Sequence, residues 1–306
     1  MPGSVEALHT EFFNALVAVL PQLDHLHYGL SDPDDRAIWG APRRLAQGPA
    51  SLFERLICLG DVQSLPPGAV AVDVGCGLAA SGMQLARRFG LVVEGINLTE
   101  AQVPLARARV AAAGLSGQVR VHHADGRAMP LPDSCADLAL LVECAFHVPD
   151  KDRLMAEIAR VLKPGGRLLV ADQERVGPPL EVMGMFFFGA EGTLARAGEA
   201  AGLTLMAQED VSAEIAAWMS DYARAGDYPA RLGLAAWACV GGRPSAAAAF
   251  LRGSRRFDTL IRAELAARGA QERFGESPIR RLREHTAQEL REGVSRYVLQ
   301  RYTRLG

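Results

Sequence analysis

This chain of 306 residues lacks a basic excess, paired cysteines and any long apolar run, and each absence closes a class of function. Lys and Arg number 33 against 35 Asp and Glu, for a formal charge of −2. A general nucleic-acid binder carries a basic surface that displaces counterions from phosphates, so no nucleic-acid partner is expected. The five cysteines (Cys58, Cys76, Cys135, Cys144 and Cys239) are odd in number and scattered, with no C-x-x-C pair. That pattern fits a reduced, cytoplasmic protein without structural zinc. The densest apolar patch, "VMGMFFFGA", is far shorter than the ~20 residues that cross a bilayer, so no membrane partner is expected. The opening "MPGSVEALHTEFFNALVAVLPQL" has no basic leader and carries Glu6 and Glu11; it reads as an amphipathic helix, not a signal peptide. His122 and His123 are adjacent on an expected strand and point to opposite faces, so no metal is called for there.

What is present is an alternation of strands and helices. "AVAVDV" (Ala69 to Val74) feeds into "GCGLAASG". Continuous apolar runs mark strands buried on both faces, and close glycines mark a turn where a ligand meets the backbone and helix amides. The helix "ASGMQLARRFG", the strand "LVVEGINLT", the helix "EAQVPLARARVAAAGL" and the strands "QVRVHHADG" and "ADLALLVECAFH" follow. "DKDRLMAEIARVLKPGG" is an amphipathic helix with Leu154, Ile158, Val161 and Leu162 on one face, ended by Pro164-Gly165-Gly166; "RLLVADQ" is a fifth strand. The alternation predicts an α/β fold with a doubly wound, mostly parallel seven-stranded sheet. Four regions result: a helical lid over 1–66, a Rossmann-like core over 67–211, a helical insertion over 212–292, and a final strand over 293–306 returning to the sheet edge. Ligands in such sheets bind beyond the strands' carboxyl ends, where Asp73, Asn97, Asp125, Glu143, His147 and Asp172 fall.

"GCGLAA" fits the loose dinucleotide fingerprint, with Ala80 in the third place. Two details oppose a nicotinamide cofactor. Asp73 stands two residues before Gly75, where a carboxylate repels a pyrophosphate and suits a cationic, amine-bearing ligand. The place of the ribose-binding acid at the end of strand two holds Asn97, with Glu94 earlier in the run. No G-K-[ST] follows the glycines, so a P-loop also fails.

Four motifs in register, carried on three segments, resemble class I S-adenosylmethionine-dependent methyltransferases. "VDVGCGLAASG" resembles their glycine-rich motif. "HHADGRAMPLPDSCADL" resembles the segment whose Asp contacts adenine. "ECAFHVPDKDRLMAEIARVLKPGGRLLVAD" resembles the segment after strand four together with the R-V-L-K-P-G-G turn. "LHYGLSD" (Leu26 to Asp32) and "GINLTEAQVPLARAR" are similar to a natural-product subgroup that includes rebeccamycin-type sugar O-methyltransferases and tocopherol C-methyltransferases.

The resemblance implies S-adenosyl-L-methionine as cofactor and S-adenosyl-L-homocysteine as product. It assigns Gly75 and Gly77 to the carboxypropyl end of the cofactor. Asp73 reaches its amino group through a water or an amide, or caps a turn. Asn97, flanked by Leu98 with Gln102 nearby, stands where an acid usually binds the ribose. Asp125 accepts the adenine amino hydrogen, or closes an Asx turn before Gly126. Val142 and Glu143 end strand four, where a backbone carbonyl meets the cofactor amine; the Glu143 side chain has no assigned role. His147 matches a histidine of the subgroup and is the expected base, since a hydroxyl acceptor must lose its proton near neutral pH. Asp172 orients or charge-stabilises that imidazole. The alternative for both is capping or packing. His27 and Tyr28 lie on the lid, and Phe186 and Phe187 of "MFFFG" line an apolar acceptor pocket or form a core or oligomer contact.

The expected function is methyl transfer to a hydroxyl oxygen of a small, largely apolar secondary metabolite such as a polyketide or glycoside, in natural-product or antibiotic biosynthesis. C-methylation of an isoprenoid or aromatic carbon, a cyclase that keeps the cofactor site, and a non-catalytic binding protein are the alternatives. A small-molecule acceptor and a second copy of the chain, in a homodimer or other homo-oligomer, are the expected partners.

Overall fold

The structure is a computed structural model that describes residues 28–31, 41–182, 186–225, 242, 244–267 and 278–305. In chain order its elements begin with α1 (Ala41–Leu59), β1 (Val70–Val74), α2 (Ala80–Phe89), β2 (Val92–Asn97) and α3 (Gln102–Ala112). Then come β3 (Val119–His123), β4 (Ala136–Val142), α4 (Lys151–Val161), β5 (Leu162–Arg175), β6 (Leu180–Val182) and β7 (Phe186–Phe188). The last are α5 (Thr193–Ala200), β8 (Leu203–Asp210), α6 (Ser212–Ala225), α7 (Pro244–Ala267), α8 (Pro278–Arg291) and β9 (Ser295–Arg304).

Seven strands form one sheet in the order β3-β2-β1-β4-β5-β9-β8. The first five are parallel, and β9 runs antiparallel to both its neighbours. This is a Rossmann-like α/β architecture, a doubly wound parallel sheet extended by two strands through an antiparallel β9. Strand alternation explains why the parallel strands read as unbroken apolar runs. Ala71, Leu138, Leu140 and Leu169 face a core shared with α1, α2, α3, α6 and α8. Val72, Val74, Ala139, Leu141 and Val170 face a second core shared with α4 and α5.

Three features differ from the sequence reading. β9 is an interior strand, because Tyr297 and Leu299 bury on one face while Tyr302 buries on the other; β8 is the edge. Helix α4 ends at Val161, and Pro164-Gly165-Gly166 lie within the residues of β5 rather than closing the helix. A separate two-stranded ribbon, β6 with β7, forms from "LEV" and "FFF", where no strand was expected.

Candidate active site

The turn after β1 is built around Gly75, at φ 78°, and Gly77, at φ 50°. The amides of Gly75 and Cys76 both donate to the carbonyl of Ile96, at 2.8 and 3.0 Å, which ties the turn to β2. A Cβ on Gly75 would lie 2.5 Å from Cys144 Sγ, so the turn admits only glycine. Beneath it Asp73 is 3% exposed. Its Oδ2 is buried without a hydrogen-bond partner. Burial pushes its carboxyl up to about 7, opposed by the Gly82 amide. Burial also holds the Cys144 thiol near 12, with Asp172 and Asp73 adding to the shift, so it is not a thiolate nucleophile.

Asn97 ends β2 and is buried. Its amide donates to the carbonyl of Gly77 at 2.9 Å and to Gln102 Oε1 at 3.1 Å, while its Oδ1 accepts from the Thr99 amide at 2.9 Å. Both amide protons therefore hold the glycine turn and the start of α3. A ribose hydroxyl would find only acceptor capacity left on this side chain. Asn97→Ala strips donors from two acceptors and should lower unfolding free energy by about 1–3 kcal/mol, read by urea denaturation. A midpoint unchanged from wild type would show that the bonds do not hold the turn. Leu98 is exposed beside it. Glu94 is unsuited to ribose, since Arg120 and His122 each meet it at 2.7 Å. That contact also accounts for His122 as a structural residue.

Asp125 follows β3 and closes an Asx turn onto the Arg127 amide at 2.8 Å. The Arg127 guanidinium grips both its oxygens and holds its carboxyl below the usual range. The carboxylate stays about a third exposed, with lone pairs open to a further donor. Gly126 packs against Val74, where a Cβ would come within 2.8 Å.

At the end of β4, Glu143 takes φ 47°, a left-handed conformation seldom adopted by a side-chain-bearing residue. Its Oε1 accepts from the Tyr28 amide at 2.6 Å and from the Tyr297 hydroxyl at 2.8 Å. Burial pushes the carboxyl up to about 8 against those two bonds. The Tyr28 ring packs 6.2 Å from Trp218 and 6.1 Å from Tyr297, with the Arg283 guanidinium 5.1 Å from its centre. Glu143 thus fastens the segment around Tyr28 to β4 and β9. Its partners lie 115 and 154 residues away, and no local pattern announces them. His27 lies outside the described residues.

His147 closes a short helical turn, Ala145–His147, just beyond β4. Its ring lies 4.6 Å from Phe146 and 5.0 Å from Phe186. Phe188 completes the group, 5.4 Å from Phe146 and stacked on Phe186 at 6.2 Å. Phe186 and Phe188 share one face of the ribbon, so alternation turns Phe187 to the other. Asp172 is 1% exposed, and burial raises its carboxyl to about 7. Its Oδ2 accepts from the Ala145 amide and its Oδ1 from the Gln173 amide, each at 2.8 Å. It orients the turn that carries His147 through the backbone. Lys151, unnoticed in the sequence, donates to the carbonyls of Ala145 and Phe187 at 2.7 Å each, and to that of Val148. Its signal was present: 151, 154 and 158 fall on one helix face, so a lysine there interrupts an apolar stripe.

Residues 72–170 match a family model described as a methyltransferase domain. The chain is 38% identical over 149 residues to methyltransferase GfsG of Streptomyces halstedii, covering 49% of this chain and 51% of that protein. It is 30% identical over 162 residues to the 27-O-demethylrifamycin SV methyltransferase of Amycolatopsis mediterranei, covering 52% and 56%. The matches therefore span about half the length of these curated relatives. The geranyl diphosphate C-methyltransferase of Streptomyces coelicolor A3(2) was solved with Mg2+, geranyl diphosphate and S-adenosyl-L-homocysteine. It superposes with a TM-score of 0.67 at 18% identity, covering 96% of this chain and 98% of that one, a likeness of fold.

Proposed function

We propose, from the premise that this chain carries a class I methyltransferase domain over residues 72–170, that it methylates a hydroxyl oxygen of a small, largely apolar natural product. S-adenosylmethionine supplies an activated methyl group on a sulfonium. The residues at the β1 turn suit that cofactor: Gly75 leaves backbone exposed where a side chain could not stand, and Asp73 Oδ2 lacks the donor that an ammonium would provide. Asp73, Gly75, Gly77, Leu98, Gln102, Asp125, Gly126 and the backbone of Val142 and Glu143 would hold it. Asn97 braces the turn and offers Oδ1 to the ribose.

The observation that carries the acceptor side is the half-buried His147 ring, set against Phe146 and Phe186 beyond the end of β4. The phenylalanine rings give an apolar acceptor a surface and keep water away. His147 takes the hydroxyl proton, and Asp172 fixes its turn. The segment around Tyr28 and the helices between β8 and β9 form the cap. The name of the rifamycin relative supports an oxygen acceptor in a secondary metabolite. The half-buried, stacked rings of Phe186 and Phe188 favour a second reading, C-methylation through a carbocation held by cation–π attraction.

The test is formation of S-adenosylhomocysteine with a panel of phenolic and polyketide hydroxyl acceptors. His147→Ala should lower kcat about 10²- to 10⁴-fold while leaving S-adenosylhomocysteine affinity unchanged. Full turnover by this variant would remove His147 as the base, and carbon-linked methyl in the product would select the second reading.

A further inference from the structure

Lys151 is a costly residue at its position. It is 8% exposed, and it opens helix α4, where the helix dipole disfavours a cation. Asp150 caps that helix by accepting from the Arg153 amide at 2.9 Å, so helix initiation does not require the lysine. Three carbonyls instead receive the buried ammonium. Ala145 and Val148 belong to the His147 turn, and Phe187 belongs to β7. The same turn is held from its amide side by Asp172. Phe187 O leaves the ribbon backbone between Phe186 and Phe188, the two rings of the wall. A single ammonium therefore joins the backbone that carries the base to the backbone that carries the aromatic surface. Ring contacts to Phe146 and His147 also tie the ribbon to the core, as do hydrogen bonds just beyond β7, where the Arg175 amide donates to the Gly189 carbonyl at 2.9 Å and the Glu191 amide donates to the Arg175 carbonyl at 2.7 Å.

We propose that Lys151 is a positioning residue that sets the distance between His147 and the Phe186–Phe188 surface, and so fixes where an acceptor sits relative to its base. The functional meaning rests on the acceptor reading above; the geometric claim does not.

The experiment uses the full chain labelled with 4-fluorophenylalanine, with fluorine resonances assigned by single Phe→Leu changes. In Lys151→Met the Phe146, Phe186 and Phe188 resonances should move and broaden, while that of Phe53, buried in α1, stays in place. S-adenosylhomocysteine titration should give an unchanged affinity. Lys151→Arg, which keeps a charged donor, should restore most of the wall pattern. Wall resonances unmoved in Lys151→Met overturn the proposal. So does Arg behaving as Met, with Phe53 moving and S-adenosylhomocysteine binding lost in both, because the lysine is then a general structural residue.

If Lys151→Met does not fold, a pH titration of the wild type decides. Burial lowers the lysine from its ordinary 10.5, opposed by Asp172 on β5 and Cys144 after β4. Loss of its proton removes the charge that holds the three carbonyls, while the carboxyls of Asp172 and Glu143 titrate at about 7 and about 8. A step in the wall resonances that Lys151→Arg removes, absent at Phe53, is the expected result. A wall that shows none while the protein stays folded overturns the proposal. Failure of the wild type to bind S-adenosylhomocysteine would instead strike the functional reading and leave the wall result standing.

Discussion

Asp73→Asn is expected to weaken S-adenosylhomocysteine binding about 10- to 100-fold, the 1.5–3 kcal/mol of a hydrogen bond to a charged group. The carboxylate is buried at the end of β1, and one of its oxygens has no partner. A ligand ammonium, directly or through one water, completes it; an asparagine presents either a neutral acceptor or an amide proton. The wild-type affinity should also depend on pH. The free carboxyl titrates at about 7, and a cationic group favours its ionised form. Binding should therefore tighten from pH 6 to pH 8 and release a proton, seen as buffer-dependent heat in calorimetry. Stability of the free protein runs the other way. The Asp73 pKa is raised on folding, so its contribution is full below about 4 and is lost as pH rises through about 7. The Asn variant should lack that part of the decline. Equal affinity in variant and wild type across this range would show that the ammonium binds elsewhere.

Gly75→Ala is expected to abolish measurable cofactor binding and to lower stability by about 2–5 kcal/mol, adding the left-handed backbone penalty to overpacking. The new methyl would meet Cys144 Sγ at 2.5 Å and its Cβ at 2.8 Å. The backbone cannot yield easily, because the amides of Gly75 and Cys76 are pinned to Ile96 O. The double variant Gly75→Ala/Cys144→Gly removes both contacts and leaves the next atom, Cys144 Cα, at 4.0 Å. Part of the lost stability should return, and the strained φ should keep the rest. Chemical denaturation of the four proteins of this cycle measures the coupling between the two sites. Purely additive effects would mean that the turn relaxes away from Cys144.

The sheet was legible because its parallel strands are buried on both faces and so appear as short apolar runs, each closed by a turn or helix signal. Gly75 and Asp73 could be placed from five consecutive residues. Contacts made across long sequence separations were not legible. Glu143 had no assigned role because its partners, Tyr28 and Tyr297, come from distant segments. The β6–β7 ribbon is not legible in the sequence because three-residue strands carry no periodicity. The position of Asn97 suggests chemistry toward a ligand, whereas its amide serves the loop. Lys151 was visible as a charge on an apolar stripe, but only the folded chain shows the three carbonyls that require it.

The placement of β9 also governs the order of events in time. β8 joins the sheet only through β9, and β5 meets no other partner on that side. During synthesis β5 emerges about 120 residues before β9 begins. At about 5–20 residues per second, that interval lasts roughly 6–24 s. Throughout it β5, an interior strand of the eventual sheet, presents an open row of amides and carbonyls, a template for stray pairing. The elements made in the interval, from β6 and β7 through α5 and β8 to α6, α7 and α8, are therefore the material available to shelter that edge, and the nascent chain depends on them before any ligand does.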